Sequence, residues 1–349
     1  MQARRLRILS VGYPFAAVGT DSVGGAEQIL VHLDQAVIEA GHESLVLAPA
    51  GSRIRGALME TPPVDDEITA EVRAGTHSRM REIVNRAVDR FEPDLVHMHG
   101  VDFYEYLPAD DRLVLVTLHL PVSFYPSSIF GLGRTKTYLV CVSGSQARSC
   151  PECRYLLDPI ENGVPLPLNR VAAKGDHTIC LSRIAPEKNC HVALEAARIA
   201  GVPCLLAGKV FSYPEHREYF SGSVEPLLDG ERRFVGALDE PAKWRLLSSA
   251  RCLLQPSAAP ETSSLVAMEA LACGTPVIAF PSGALPEIIE NGKTGFLVRS
   301  AREMAEAISW VDQIDLQVCL ETAQKRFSIQ RMTANYIDLY YKLLKRWSE

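Results

Sequence analysis

Short apolar runs alternate along this chain with longer stretches in which apolar side chains recur every third or fourth position. Arg7 to Val11 reads as a first buried strand. A loop of small residues then leads through Gly24 and Gly25 into a helix with Ile29, Leu30, Leu33, Ala36, Val37 and Ala40 on one stripe, closed by Gly41. "ESLVLAPA" is the next strand, followed by a polar stretch over 51–75 and a long helix predicted over 76–91. "PDLVHMHG", "RLVLVTLHL" and "TYLVCVSGS" follow as short buried strands. Strands that alternate with helices predict a parallel sheet with helices on both faces. Around "DPIENGVPLPLNRVAAKGD" the periodicity lapses and Pro, Gly and Asn accumulate, which marks a linker. A second alternating series starts at "HTICLSRIAPEK" and runs through "VPCLLAGKV", "RRFVGAL", "ARCLLQPS", "TPVIAF" and "TGFLV". After the N-cap candidate Ser328, a last helix carries Met332, Tyr336, Leu339, Tyr340, Leu343 and Leu344 on one side. The pattern predicts two doubly wound α/β domains facing each other, with that helix packing back on the first.

One segment of the second series carries charge in an unexpected place. In "PETSSLVAMEALACGTPVIAF", Leu265, Met268, Leu271 and Ala272 fall at helical spacing, and Gly274 and Pro276 close the helix. Glu261 then stands on the loop before the helix, with Glu269 about two turns inside it. Thr262, Ser263 and Ser264 offer hydroxyls and free N–H groups at a positive helix end, an arrangement suited to an anion.

Composition narrows the possibilities. The 349 residues suit two domains, and 47% hydrophobic with 22% charged residues is ordinary for a globular chain. A net charge of −6 argues against broad nucleic-acid binding. Nine scattered cysteines fit buried thiols in a reducing, cytoplasmic setting better than a disulfide framework. Cys150 and Cys153 form one CxxC, half of a zinc site, and read as a plain loop. Three arginines before the first apolar run imitate a signal peptide, but Tyr13 and Pro14 interrupt it, so a buried strand is expected. No run approaches the roughly 18 apolar residues of a membrane span, which leaves peripheral contact open. "VDDE" and "PADD" read as loops, and no Asp-x-Asp motif suggests a metal-diphosphate site.

The order of GGAEQ, VHMHG, VTLHL, VSGS, ENGV, SRIAPEKN, the glutamate pair and SGALPEII resembles the retaining glycosyltransferases of family 4 over nearly the whole chain. The resemblance implies the GT-B architecture: an acceptor-side domain over 1–165, a nucleotide-sugar domain over 166–326 and a returning helix over 327–349. It makes Glu269 the ribose ligand, otherwise a solvated helix position, and brings Glu261 to the transferred sugar. The amides of Thr262, Ser263, Ser264 and Leu265 would hold the diphosphate between them; eight helical residues span about 12 Å, close to that reach. Arg183 and Lys188 become the cations on the leaving diphosphate, work that a metal would otherwise do. Ser182 and Asn189 depart from the family pattern, which has glycine at both. Gly24 and Gly25 would close over the donor phosphate, Glu27 is read as a helix-start residue, and Gly283 and Ala284 would offer further N–H groups. The base would stack over the backbone near Val235 and Gly236. His119, structural or beside the transferred sugar, ends its strand; His97 and His99 end a neighbouring one.

The expectation is therefore a metal-independent, retaining transfer from a nucleotide-diphospho-sugar to an acceptor hydroxyl, with no cofactor and with UDP favoured over GDP and ADP. A nucleotide-sugar 2-epimerase and a non-catalytic nucleotide-sugar-binding subunit are the rival readings. Segments 51–75 and 121–135, the latter with Phe124, Tyr125 and Phe130, would shape a compact acceptor pocket.

Overall fold

The computed structural model of the chain describes residues 4–22, 24–63, 68–167 and 173–347. The "VDDE" stretch at 64–67 and the part of the linker at 168–172 lie outside the described residues. By contact the chain divides into unit 1, Met1–Asn162 with Gln330–Glu349, and unit 2, Gly163–Ile329.

Unit 1 contains β1 (Arg7–Val11), α1 (Gly25–Glu39), β2 (Glu43–Pro49), β3 (Ala57–Thr61), α2 (Ala70–Phe91), β4 (Leu95–Met98), β5 (Val114–Leu118), β6 (Thr137–Cys141), α3 (Gly144–Ser149) and β7 (Leu156–Leu157). Its seven strands are ordered β3-β2-β1-β4-β5-β6-β7, all parallel. The central strands are buried along almost their whole length, as expected where helices cover both faces. Leu9, Val11, Val96, Val114 and Val116 pack under Met80, Val84 and Ala87 of α2. Each such aliphatic side chain contributes about 1.5–3 kcal/mol by leaving water.

The stretch expected to be polar connection is more ordered than that. It includes the edge strand β3, and α2 starts at Ala70, where Thr69 Oγ1 accepts from the Val72 N–H. The helix therefore begins six residues earlier than the apolar periodicity suggests, because its first two turns are exposed on most sides.

Unit 2 contains β8 (Thr178–Leu181), α4 (Cys190–Ala200), β9 (Cys204–Ala207), α5 (Pro214–Tyr219), β10 (Arg232–Gly236), α6 (Glu240–Ser249), β11 (Cys252–Gln255), α7 (Leu265–Ala272), β12 (Val277–Ala279), α8 (Leu285–Ile288), β13 (Gly295–Leu297), α9 (Ala301–Ile308) and α10 (Leu316–Arg326). Its six parallel strands are ordered β10-β9-β8-β11-β12-β13. Alternate residues feed two cores: Ile179, Leu253 and Val277 face α7 and α10, whereas Cys180, Leu254 and Ile278 face α4 and α9. The closing helix α11 (Ile329–Arg346) begins at the last residue of unit 2 and otherwise belongs to unit 1, burying Met332, Tyr336, Tyr340 and Leu343.

Both sheets reverse their winding direction, between β1 and β4 in unit 1 and between β8 and β11 in unit 2. Loops leaving the carboxyl ends of such neighbouring strands diverge and open a crevice, the usual ligand position in this architecture.

Candidate active site

In unit 2 the loops after β8, β11 and β12 meet at that crevice. Lys188 Nζ donates to Glu261 Oε1 at 2.6 Å, and Ser257 Oγ donates to the same oxygen at 2.5 Å. Arg183 donates to Glu187 at 3.2 Å on the exposed side of its loop. The two departures from glycine are accommodated locally. Asn189 adopts the left-handed conformation itself (φ 54°, ψ 34°), which asparagine tolerates better than most residues. Ser182 Oγ donates to the Arg183 carbonyl at 3.0 Å. Asn189 thus supplies the left-handed turn that a glycine would otherwise make.

Ser264 caps α7: its Oγ accepts from the Ala267 N–H and also exchanges hydrogen bonds with the Gln255 side chain. The Met268 N–H returns to the Ser264 carbonyl, so the N–H groups of Leu265 and Val266 are the ones left at the helix start. Ser263 is buried, and its Oγ finds no hydrogen-bond partner among the described residues. A buried hydroxyl without a partner costs free energy unless a ligand or water completes it.

Three readings need correction here. Because α7 begins only at Leu265, Glu269 lies about one turn into the helix, not two, and a helical rise for all eight residues does not apply. The Ala284 N–H is not available to a phosphate: it donates to the Glu261 carbonyl at 2.8 Å. Gly283, at φ +60°, passes so close beneath Glu261 that a Cβ would come within 2.2 Å of that carbonyl oxygen. The SGALPEII turn therefore holds the Glu261 loop in place. Glu269 is not solvated either. It is buried and takes a hydrogen bond from Lys243 of α6; burial pushes its carboxyl up and Lys243 pulls it back down. Val235 is exposed on β10, and the Gly236 carbonyl accepts from the Gly208 N–H at 2.8 Å.

His119, Gly24 and Gly25 lie in unit 1. Gly24 precedes α1, and a Cβ there would overlap the Glu27 carboxylate at 1.8 Å. Glu27 is buried over that turn, which raises its carboxyl. His99 and His119, following β4 and β5, stack at 5.3 Å, with Nδ1 of His99 3.0 Å from Nε2 of His119. One proton is shared between two uncharged rings, because burial lowers His119 to about 3 and His99 well below the ordinary range. Nε2 of His99 is buried without a partner among the described residues. His97 is fully enclosed, bonded to Tyr340 Oη and Thr117 Oγ1, both at 2.8 Å. This is a structural histidine, and the HxH spacing does not make a ligand pair. Tyr125 and Phe130 pack into the unit 1 core, while Phe124 is exposed. Cys150 meets Cys141, at 3.5 Å between sulfurs.

Comparison with known proteins fits these two sheets. Residues 169–325, most of unit 2, match the family described as glycosyl transferases group 1. A phosphatidyl-myo-inositol mannosyltransferase of Mycolicibacterium smegmatis is 26% identical over 80% of this chain and 78% of its own length. A glycogen synthase of Mycobacterium tuberculosis is 27% identical over 95% of this chain and 91% of its own. The chain is a glycosyltransferase, with the group 1 match confined to residues 169–325. Its two α/β units are those of the GT-B fold, which it shares with Anabaena HepE, solved with UDP and glucose, at a TM-score of 0.73 and 17% identity over 96% of this chain and 99% of that one.

Within unit 2 of this glycosyltransferase, the structure brings Lys188, Glu261, Ser263, Ser264 and Gly283 into one loop cluster and shows partners that sequence reasoning passed over. Lys243 lies 26 residues from Glu269, and nothing in its helix marks it. Ser257 and Gln255 read only as the end of a strand. No helix among the described residues is long and apolar enough to cross a membrane.

Proposed function

We propose that this glycosyltransferase moves a sugar from a nucleotide-diphospho-sugar, UDP-linked, to an acceptor hydroxyl with retention of configuration and without a metal ion. The observation that carries the reading is the paired glutamates of α7 and its approach loop. Each is held by a lysine, and between them stand the open N–H groups of Leu265 and Val266 and the unpartnered Ser263 hydroxyl. A diphosphate suits that interval, with Glu269 toward the ribose and Glu261 toward the sugar. Lys188 and Arg183 supply the positive charge for the leaving group. The bond from the anomeric carbon to the phosphate oxygen breaks as the acceptor oxygen bonds to the same face. The departing phosphate oxygen takes the acceptor proton. His119, neutral at the edge of unit 1, is assigned to the sugar, and the backbone at Val235 and Gly236 to the base. Gly24 and Gly25 permit close approach to the donor phosphate. That HepE was solved with UDP and glucose supports UDP as the first nucleotide to test.

A thermal-shift panel of UDP-, GDP- and ADP-sugars identifies the donor, with the largest stabilisation expected for UDP. Turnover measured after exhaustive chelation should persist, and loss rescued by magnesium or manganese would overturn metal independence. The anomeric configuration of the product, read by NMR, should match that of the donor. UDP-sugar binding with no sugar release over long incubation would favour the non-catalytic reading.

A further inference from the structure

Away from the donor loops, unit 1 carries a cavity of about 200 Å³ at the carboxyl ends of β1 and β3, walled by Pro14, Phe15, Pro62 and Met80. Its polar lining consists of Thr61, Thr76 and Arg79. Thr61 is 4% exposed, and its Oγ1 has no hydrogen-bond partner among the described residues. A hydroxyl enclosed in that way is expected to meet a ligand or water. Arg79, exposed on α2, makes no ion pair with a described residue, whereas Arg81 two positions on bonds the Glu105 carbonyl. A second guanidinium, Arg73, lies 5.4 Å over the Phe15 ring. None of the described residues lining the cavity is acidic. Asp102, which receives the His77 ring that packs on Phe15, is already occupied by His77 Nε2 and Tyr106 Oη, both at 2.6 Å.

We propose that this cavity receives an anionic group of the acceptor, a phosphate or a carboxylate, with Arg79 and Thr61 Oγ1 donating to its oxygens. Guanidinium is suited to both because its forked N–H groups match their geometry. The apolar walls accommodate the carbon skeleton next to the anion, and their lack of competing donors gives Arg79 and Thr61 the selectivity. As an acceptor site, it rests on the glycosyltransferase reading above; as an anion site, it stands on the cavity alone.

The probe is inorganic phosphate, titrated by calorimetry into the full chain with and without saturating UDP. Binding should survive UDP and weaken by about tenfold or more in Arg79→Gln and in Thr61→Val. Thr61→Val preserves shape, and Arg79→Gln changes an exposed side chain, so circular dichroism should confirm that both are folded. Phosphate affinity unchanged in both folded variants, or abolished by UDP, would overturn the proposal. Failure of UDP to bind while Arg79-dependent phosphate binding persists would instead remove the donor assignment and leave this site standing. Phosphatidylglycerol vesicles separate the sources: sedimentation that depends on Arg79 assigns the anion to a lipid headgroup. Phosphate binding without vesicle binding assigns it to a soluble ester. Both results uphold the site.

Discussion

At the carboxyl edge of unit 1 three imidazoles are buried and uncharged, whereas at the same edge of unit 2 two glutamates are each held by a lysine. The neutral edge is stacked and hydrogen-bonded within its own unit. The charged edge is made of pairs whose partners come from separate loops and helices, with open donors between them. An edge of the first kind presents shape and a fixed proton; one of the second kind is prepared for an anion. The difference also makes the units respond differently to pH and to mutation.

The largest effect expected is on unit 1. A histidine whose pKa is lowered by folding binds its proton in the unfolded chain first, so stability is lost as pH falls below the ordinary value of 6.5, down to about 3 for His119. With three such rings, unfolding free energy should drop by up to about 4 kcal/mol per pH unit, about 1.4 for each. Urea denaturation at pH 6.5 and at about one unit lower measures it. A flat profile would mean that the rings titrate normally, and the contrast between the edges would disappear.

Next in size is the leaving-group cation. Lys188→Ala should lower the catalytic constant at saturating donor by about a hundredfold or more, because charge on the diphosphate grows as the bond breaks. Single-turnover kinetics separates this from binding. A mutant that reacts at the wild-type rate once saturated would make Lys188 a binding residue only.

Glu269→Ala should weaken nucleoside diphosphate binding by about 1.5–3 kcal/mol, read by calorimetry. Stability supplies an independent reading of the same side chain. A carboxyl raised by burial loses stability as pH climbs from 4.5 through its raised value, opposite in sign to the histidines. Glu269→Gln should therefore gain on wild type in thermal melts as pH rises through that window; parallel melts would place the carboxyl in water. The smallest effect is Tyr340→Phe, which removes one partner of His97. A loss of about 1 kcal/mol in unfolding free energy is expected, with nucleotide affinity untouched. Altered affinity would show that the two edges are not independent.

Local features of both edges were readable in the sequence. The strand ends that carry His119 and Arg183, the glycine-led start of α1 and the short apolar α7 all follow from runs, spacing and capping residues. What escaped was non-local or lacked contrast. Lys243 belongs to a helix with a weakly apolar face and meets Glu269 only through the packing of α6 against α7. The edge strand β3 buries only Thr61 fully, so it has no alternation to detect. The Ala284 amide looked open because the carbonyl that takes it lies in a different loop. Backbone pairing of that kind leaves no mark on side-chain chemistry.

The chain route has a consequence in time. Unit 2 is one continuous segment, but unit 1 is completed by α11, which follows unit 2 along the polypeptide. The Tyr340 hydroxyl that satisfies His97 is 243 residues downstream of it. During vectorial synthesis the first sheet must therefore wait with an unsealed flank until the second unit has been made, while the second has no such dependence. A ribosome that stalls after unit 2 would release one finished half and one half open at its histidine edge. Quality control would then act on the half made first.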